Sequence, residues 1–257
     1  METLKNKIAL NLDGDAEVSV KGVIAPIEYT QYNFHVEWDE LANFRVAEPE
    51  KQYPASVFQA FLPSEPVAVG ECWQIGEEES ALTLLKQLHP TPKLRLENDD
   101  EDYTGIWACL RAYNDTLAEI AFRVHAEFIM KNGKFTPSQF AGHLVIDRIQ
   151  GEIVAFKMFV PPTTLNFDAG WKQEDGNYFA EIGYCPQLQL WSGIYPTDVE
   201  YKTSITEAEA ERMLISRYYV FQKINWVSLE EAFELASVEQ KPIHAVSLDG
   251  PLFDESC

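Results

Sequence analysis

Four cysteines are the side chains of this sequence best suited to redox or nucleophilic chemistry, and their spacing limits what they can do. Cys72, Cys109, Cys185 and Cys257 lie far apart in sequence and form neither a C-x-x-C pair nor a zinc-binding pattern. Cys72 and Cys109 sit in apolar runs, which predicts that they are buried structural thiols. Cys257 differs because it is the last residue and follows polar neighbours, so we expect it to be exposed.

A second set of polar side chains lies in strand-like segments. Arg123, His125 and Glu127 alternate along the chain, so on one strand all three would face the same side. They form either a polar cluster that lines a cleft or the solvated face of a half-buried sheet, and the second interpretation is favoured. His143 and His244 also sit in apolar runs, where a structural histidine is more common than a ligand. No spacing requires a zinc site among these residues, so we predict no metal.

The composition indicates an acidic globular protein with a sizeable core. The chain has 257 residues, of which 46% are hydrophobic and 12% aromatic, and its formal net charge is -21. Such a surface repels nucleic-acid phosphates and anionic lipid headgroups, so we expect neither a nucleic-acid nor a membrane partner. No signal peptide or membrane span is evident in the sequence, which predicts a soluble, cytoplasmic protein.

The hydrophobic pattern predicts many short strands and few helices. A helix is expected over residues 77–88, because apolar side chains recur at helical spacing and His89-Pro90 follows. Many strands in sequence with few helices favour an antiparallel sheet. The fold class is therefore α+β, with a mainly antiparallel β domain. The other predicted strands cover residues 17–24, 32–38, 106–113, 117–130, 139–147 and 154–160, with one long strand or a strand pair over 179–190.

Near residue 206 the pattern becomes helical. Thr206 is a suitable N-cap for one helix, and Ser228 with Glu231 forms a capping-box pattern at the start of another. A predicted strand over residues 243–248 and a loop follow, ending at Cys257. A thioredoxin-like domain begins with this order of helix, strand, loop and cysteine.

The chain is accordingly divided into two parts. Residues 1–205 form the mainly β domain, and residues 206–257 form a helix-helix-strand segment that opens a truncated thioredoxin-like unit.

Several segments of the sequence resemble the selenoprotein N family, and they occur in the same order as in that family. The similarity covers about residues 118–257, and no comparable segment is found in residues 1–100. The segments are Phe-Arg-Val-His-Ala-Glu-Phe (122–128), Phe-Thr-Pro-Ser-Gln-Phe-Ala-Gly-His (135–143), Phe-Lys-Met-Phe-Val-Pro (156–161), Leu-Asn-Phe-Asp (165–168), Trp171, Glu-Ile-Gly-Tyr-Cys-Pro-Gln-Leu (181–188) and the closing stretch 231–257, which ends in Asp-Glu-Ser-Cys.

The resemblance implies a redox function for the end of the chain. That family carries a Ser-Cys-selenocysteine-Gly motif, so Ser256 and Cys257 are the expected catalytic residues and selenocysteine is expected to follow them. The full-length protein is then a thiol- or selenol-disulfide oxidoreductase, with Arg123, His125, Glu127 and His143 as possible cleft-lining residues. Without the selenocysteine we expect the chain to be inactive, and we expect no other cofactor. A natural C-terminus at Cys257 is the alternative.

The sequence departs from the vertebrate family pattern, which includes a membrane anchor and an EF-hand. Residues 13–17 place acids at loop positions one, three and five, but Val18 stands where an EF-hand needs glycine. Ile24 stands where it needs glutamate. We therefore interpret the chain as a bacterial-type homologue without calcium-binding or anchoring segments.

A second hypothesis is a non-catalytic binding or scaffolding domain that recruits a redox partner. Under the redox hypothesis the partner is a disulfide-containing protein or a small thiol or disulfide. A homodimer is also expected, because an incomplete C-terminal domain leaves apolar surface to cover.

Overall fold

The computed structural model of the chain describes residues 7–76, 78–95, 105–218 and 227–245, and strands far outnumber helices in these ranges. The strands are β1 (Glu17–Ile24), β2 (Tyr29–Thr30), β3 (Glu50–Pro54), β4 (Cys72–Gln74), β5 (Pro92–Leu94), β6 (Ile106–Tyr113), β7 (Leu117–Val124), β8 (Ala126–Met130), β9 (Gly133–Pro137), β10 (Phe140–Asp147), β11 (Glu152–Phe159), β12 (Phe167–Lys172), β13 (Tyr178–Tyr184), β14 (Leu188–Gly193) and β15 (Thr203–Ser204). The helices are α1 (Phe34–Glu37), α2 (Asp39–Ala42), α3 (Ser56–Gln59), α4 (Glu78–Leu88), α5 (Glu207–Ile215) and α6 (Leu229–Glu239).

The strands form two antiparallel sheets. The nine-stranded sheet has the order β15-β6-β7-β10-β11-β14-β1-β3, and β4 also pairs with β6. The six-stranded sheet has the order β2-β13-β12-β9-β8-β5. This architecture confirms the predicted α+β class with mainly antiparallel strands. No helix within the described ranges combines the length and apolarity that crossing a bilayer requires.

The β6-β7 hairpin, which lies towards one end of the larger sheet, is set by an asparagine turn. Asn114 Oδ1 accepts hydrogen bonds from the backbone N–H of Thr116 (3.0 Å) and Leu117 (2.7 Å). The Asn114 N–H in turn donates to Leu117 O at 2.9 Å. Asparagine favours such turns because its side chain substitutes for a backbone acceptor. The turn fixes which side chains of β6 and β7 lie on each face of the sheet.

The single strand predicted over residues 117–130 is wrong, because it is divided between the two sheets. β7 ends at Val124 in the nine-stranded sheet, and β8 begins at Ala126 in the six-stranded sheet. At the crossing, His125 N donates to Gly105 O (2.7 Å), and Arg95 N donates to His125 O (2.9 Å). Periodicity alone does not reveal the crossing, since both strands are buried. The predicted region 179–190, by contrast, is confirmed as the strand pair β13 and β14.

The main core contains side chains from both sheets. Phe61 and Phe122 have ring centroids 4.6 Å apart, and Phe135 and Phe167 are also 4.6 Å apart. These rings are almost completely buried, with Phe122 on the larger sheet and Phe135 and Phe167 on the smaller one. Val18 is buried in β1, so residues 17–24 of the segment considered against an EF-hand loop form a strand.

The two C-terminal helices differ in their packing. α5 begins with a complete capping box between Thr206 and Glu209, and it packs on β6 and β7. In α6, Ser228 Oγ accepts a hydrogen bond from Glu231 N at 3.2 Å, which agrees with the predicted N-cap. None of the α6 side chains is buried, so its apolar stripe is not covered.

The segment that was expected to open a thioredoxin-like unit is described only in part. Residues 243–245 have no strand assignment, and residues 246–257 lie outside the described ranges. His244 is exposed instead of packed in a strand. The thioredoxin-like unit and the division at residue 206 therefore stay predictions.

Candidate functional site

The predicted site residues within the described ranges do not come together in one place. Ser256 and Cys257 fall outside the described residues. Arg123 lies near the end of β7, where its Nη2 is 3.9 Å from Glu211 Oε1 of α5. Glu127 lies on β8 of the other sheet and faces two lysines, with Nζ atoms 3.3 and 3.5 Å away.

His125 lies between these two strands. Arg123, His125 and Glu127 are only 6%, 2% and 8% exposed, so the solvated-face interpretation is wrong. The His125 ring meets the Tyr218 ring edge to face, with centroids 4.5 Å apart. Burial, followed by the charges of Arg95 and Arg123, lowers the pKa of His125 to about 3. His125 is therefore a neutral, packed imidazole at physiological pH.

His143 belongs to a polar cluster on the face of the nine-stranded sheet that α5 covers. Here Cys109 and Ala121 pack with Ala210 and Leu214 of α5, separately from the main core. We call this surface the α5-covered face. Four residues lie side by side on successive strands of this face. His143 of β10 pairs with Ala121 of β7, Ala121 pairs with Cys109 of β6, and Cys109 pairs with Cys72 of β4.

The centre of the polar cluster is Glu119, whose side chain has no solvent exposure. Arg111 binds both carboxylate oxygens, with Nε 2.6 Å from Oε1 and Nη2 in contact with Oε2. The Tyr195 hydroxyl donates to Oε1 at 2.5 Å, and the Tyr201 hydroxyl donates to Oε2 at 3.0 Å. His143 Nδ1 lies 3.2 Å from Oε1. We call these five residues the Glu119 network.

The donors determine the charge state of the network. Burial by itself would raise the pKa of Glu119, but the hydrogen bonds from His143, Arg111 and Tyr195 and the charge of Arg111 bring it down to about 2. Burial and the neighbouring carboxylate raise the pKa values of Tyr195 and Tyr201. Glu119 is thus an anion at neutral pH, and both tyrosines remain hydrogen-bond donors.

His143 connects the network to α5. Its Nε2 lies 3.1 Å from Glu207 Oε1, in the first turn of the helix. Both ring nitrogens face carboxylate oxygens, so both can donate hydrogen bonds only when each carries a proton. His143 therefore joins the buried Glu119 to the exposed end of α5.

This arrangement is better suited to holding elements together than to transferring protons. A carboxylate with a pKa of about 2 and its donors in place is a weak base at neutral pH. Arg111, Glu119 and His143 join β6, β7 and β10 to each other, and the tyrosines attach the segment after β14. Within the described parts of the chain, no group of three or more histidine, cysteine or acidic side chains is placed to hold a metal.

Sequence reasoning singled out His143 but missed the other members of the network. A usable signal was present for two of them, since Arg111 and Glu119 are charged residues within the mostly apolar strands of one tight hairpin. Such residues are rarely buried unless paired. Tyr195 and Tyr201 follow β14 in an irregular segment, and no pattern points to them.

Comparison with known proteins finds three similar proteins, each named selenoprotein N. Selenoprotein N of Danio rerio is 30% identical over 273 aligned residues, covering 83% of this chain and 48% of that protein. The chain is selenoprotein N-like. Selenoprotein N of Mus musculus is 27% identical, covering 82% of the chain and 48% of the mouse protein. Selenoprotein N of Homo sapiens is 28% identical, covering 82% of the chain and 45% of the human protein.

The selenoprotein N resemblance inferred from the sequence is thereby confirmed. The chain spans about half the length of these selenoprotein N relatives. No family model and no solved structure matches it.

The three cysteines within the described residues of the selenoprotein N-like chain are free thiols in different environments. Cys185 is 2% exposed, and burial raises its pKa to about 11. Cys109 is fully buried, as predicted, whereas Cys72 is only partly buried. Although 37 positions apart in sequence, these last two face each other across β4 and β6.

Proposed function

We propose that the full-length protein is a thiol- or selenol-disulfide oxidoreductase. The similarity to three vertebrate proteins named selenoprotein N carries this proposal. The Ser-Cys ending at residues 256 and 257 matches the first half of that family's Ser-Cys-selenocysteine-Gly motif. Cys257 and a following selenocysteine are the proposed reactive pair.

The chemistry of this pair is thiol-disulfide exchange. A selenolate, ionised at neutral pH, attacks one sulfur of a substrate disulfide and releases a thiolate that takes up a proton. The Cys257 thiolate then attacks the selenium, releases the second substrate thiol and forms a selenosulfide bond. Two electrons pass from the protein to the substrate, and a thiol reductant restores the pair.

Cys257 without its selenium partner is a poor nucleophile in this proposal. Asp254 and Glu255 lie three and two positions away, respectively, and their negative charges disfavour the thiolate. If residues 206–257 open a thioredoxin-like unit, the helix after the motif supplies free N–H groups that stabilise the reactive anion. The substrate is then a disulfide-containing protein or a small disulfide.

A turnover assay tests the proposal. We would measure insulin-disulfide reduction by the chain ending at Cys257, by a version extended through selenocysteine and the following residues, and by that version with Cys257→Ser. The extended form should turn over, and the other two should be much slower. If the extended form reduces neither insulin nor a small disulfide, the oxidoreductase proposal is wrong.

The alternative, a binding or scaffolding role, is supported by one feature of α6. Leu229, Phe233 and Val238 are 55%, 61% and 83% exposed, which suits contact with another protein or a second copy. Light scattering on the full chain and on Phe233→Glu tests the expected homodimer, because a charge at a buried interface would dissociate it. Monomers in both samples would contradict the homodimer.

A further inference from the structure

The α5-covered face also places two cysteines side by side. Cys72 on β4 is the direct partner of Cys109 on β6, in an antiparallel ladder that includes Trp73 opposite Ala108. Directly opposed residues project their side chains to the same face of a sheet. Both sulfur atoms therefore belong to one small cluster under α5.

The hydrogen-bond pattern shows which kind of antiparallel pair the two cysteines form. Leu110 N donates to Glu71 O at 3.2 Å, and Ile75 N donates to Ile106 O at 3.2 Å. Hydrogen-bonded pairs alternate along the ladder, so Cys72 and Cys109 occupy a non-hydrogen-bonded position. At such positions the Cα atoms are about 4.5 Å apart and the side chains approach closely. A disulfide needs Cα atoms about 4.4–6.8 Å apart, and the separation typical of this kind of pair lies within that range.

The two thiols differ in exposure and in charge environment. Cys109 is fully buried, whereas Cys72 is partly exposed. A hydrogen bond from the Cys109 thiol, together with the nearby Arg217 guanidinium, lowers the pKa of Cys72. The same hydrogen bond and burial raise the pKa of Cys109. Arg217 is held in place over the Trp107 ring, with its Cζ 4.7 Å from the ring centroid.

We propose that Cys72 and Cys109 are a redox-active dithiol that closes reversibly to a cross-strand disulfide, with Cys72 as the attacking sulfur. The reaction partner is a disulfide, either a low-molecular-weight one or an exposed one on a protein. This site does not depend on Ser256 and Cys257, and it remains open to test if the terminal motif proves inactive.

The exchange proceeds in two steps. The Cys72 thiolate attacks one sulfur of the partner disulfide, breaks its S–S bond and releases one thiolate, which takes up a proton from water. The Cys109 thiol then loses its proton and attacks Cys72 Sγ, forming the cross-strand bond and releasing the second thiol. The dithiol loses two electrons and two protons, and the partner disulfide gains both.

Peptide mapping in glutathione redox buffers tests the proposal. The full chain with Cys257→Ser would be equilibrated with oxidised and reduced glutathione, alkylated, unfolded and digested. The expected result is a Cys72–Cys109 linked peptide in oxidised glutathione that disappears in excess reduced glutathione. Cys185 is the internal control and should be alkylated after unfolding in every sample.

Three outcomes would overturn the proposal. In the first, both thiols stay reduced in fully oxidised glutathione. In the second, glutathione remains attached to Cys72 and no cross-link forms. In the third, a cross-link forms that excess reduced glutathione does not open. The last result indicates a structural disulfide, because such bonds resist the glutathione pool. In Cys109→Ala, the reaction should stop with glutathione attached to Cys72.

Alkylation kinetics on the folded protein test the role of Arg217. Cys72 should react with iodoacetamide at least ~100-fold faster than Cys185 at pH 7, because reactivity follows the thiolate fraction and exposure. Arg217→Gln should move the pH midpoint for Cys72 alkylation upward, and Arg217→Lys should restore it. A midpoint unchanged in both variants would contradict a role for the positive charge.

Discussion

Replacing Glu119 with glutamine tests the physical account of the α5-covered face. The substitution keeps the size of the side chain but removes the charge that Arg111 binds through two nitrogens. Arg111 is then left with a side chain only 15% exposed and without its anionic partner. Removing one partner of a buried ion pair lowers the free energy of unfolding by roughly 3–5 kcal/mol, because the charge of the other partner is left uncompensated.

The pKa of Glu119 gives an independent magnitude. Its decrease from 4.5 to about 2 means that the folded protein favours the carboxylate over the neutral acid. At roughly 1.4 kcal/mol per pKa unit, this preference is about 3 kcal/mol. The two values agree, so Glu119→Gln should lower the free energy of unfolding by about 3 kcal/mol. The melting temperature should fall by about 6–12 °C for a chain of this size.

Urea denaturation at pH 7 is the assay, and Glu48→Gln is the matched control. Glu48 pairs with Lys51 at 2.5 Å, but their side chains are 48% and 35% exposed. Exposed pairs contribute about 0–1 kcal/mol, so the control should change stability little. If Glu119→Gln costs no more than Glu48→Gln, the network does not hold the sheet together and the reasoning is refuted.

Three further predictions concern the same sheet. On acidification, the stability difference between the wild type and Glu119→Gln should shrink from about 3 kcal/mol near pH 6 to near zero at about pH 2, measured by urea titration. Folding lowers the pKa of Glu119 to about 2, so its carboxylate stabilises the protein above the unfolded pKa, and this stabilisation is lost as the pH falls towards the folded pKa. A stability difference between the two proteins that stays constant with pH would contradict this prediction. Tyr201→Phe should cost about 1–3 kcal/mol in the same assay, because one donor to a charged group is lost, and an unchanged midpoint would show that this hydrogen bond adds no net stability. Gly142→Ala should destabilise the protein by about 1–3 kcal/mol or more, since the added Cβ would lie 2.1 Å from Phe122 Cζ; Gly76→Ala, with nothing within 4 Å, is the control, and equal melting temperatures for the two variants would contradict the packing argument.

Short-range pattern was sufficient for the fold class but not for the way the sheets are arranged. Alternation and turn residues predicted strands close to β1, β6, β10 and β11, and the Thr206 cap marked the start of α5. The crossing at His125 was missed because both flanking strands are buried on both sides, which leaves no change in periodicity. The apolar stripe of α6 is exposed in the structure, although such a stripe normally packs on a core.

The candidate sites depend on contacts between residues far apart in sequence. Tyr201 meets Glu119 across 82 positions, and Cys72 meets Cys109 across a strand pair that no local motif marks. Sequence reasoning therefore treated Cys72 and Cys109 as separate structural thiols. The antiparallel register makes them neighbours, and that register follows from packing of the whole sheet.

The proposed role of Cys257 in disulfide exchange can be tested by trapping the oxidised pair. The version extended through selenocysteine would be reduced, mixed with one equivalent of a small disulfide, quenched by alkylation and mapped by mass spectrometry. If Cys257 and selenocysteine are the reactive pair, Cys257 will be recovered bonded to selenium while the substrate is reduced. Complete alkylation of Cys257, with the substrate disulfide unchanged, would show that Cys257 takes no part in the exchange.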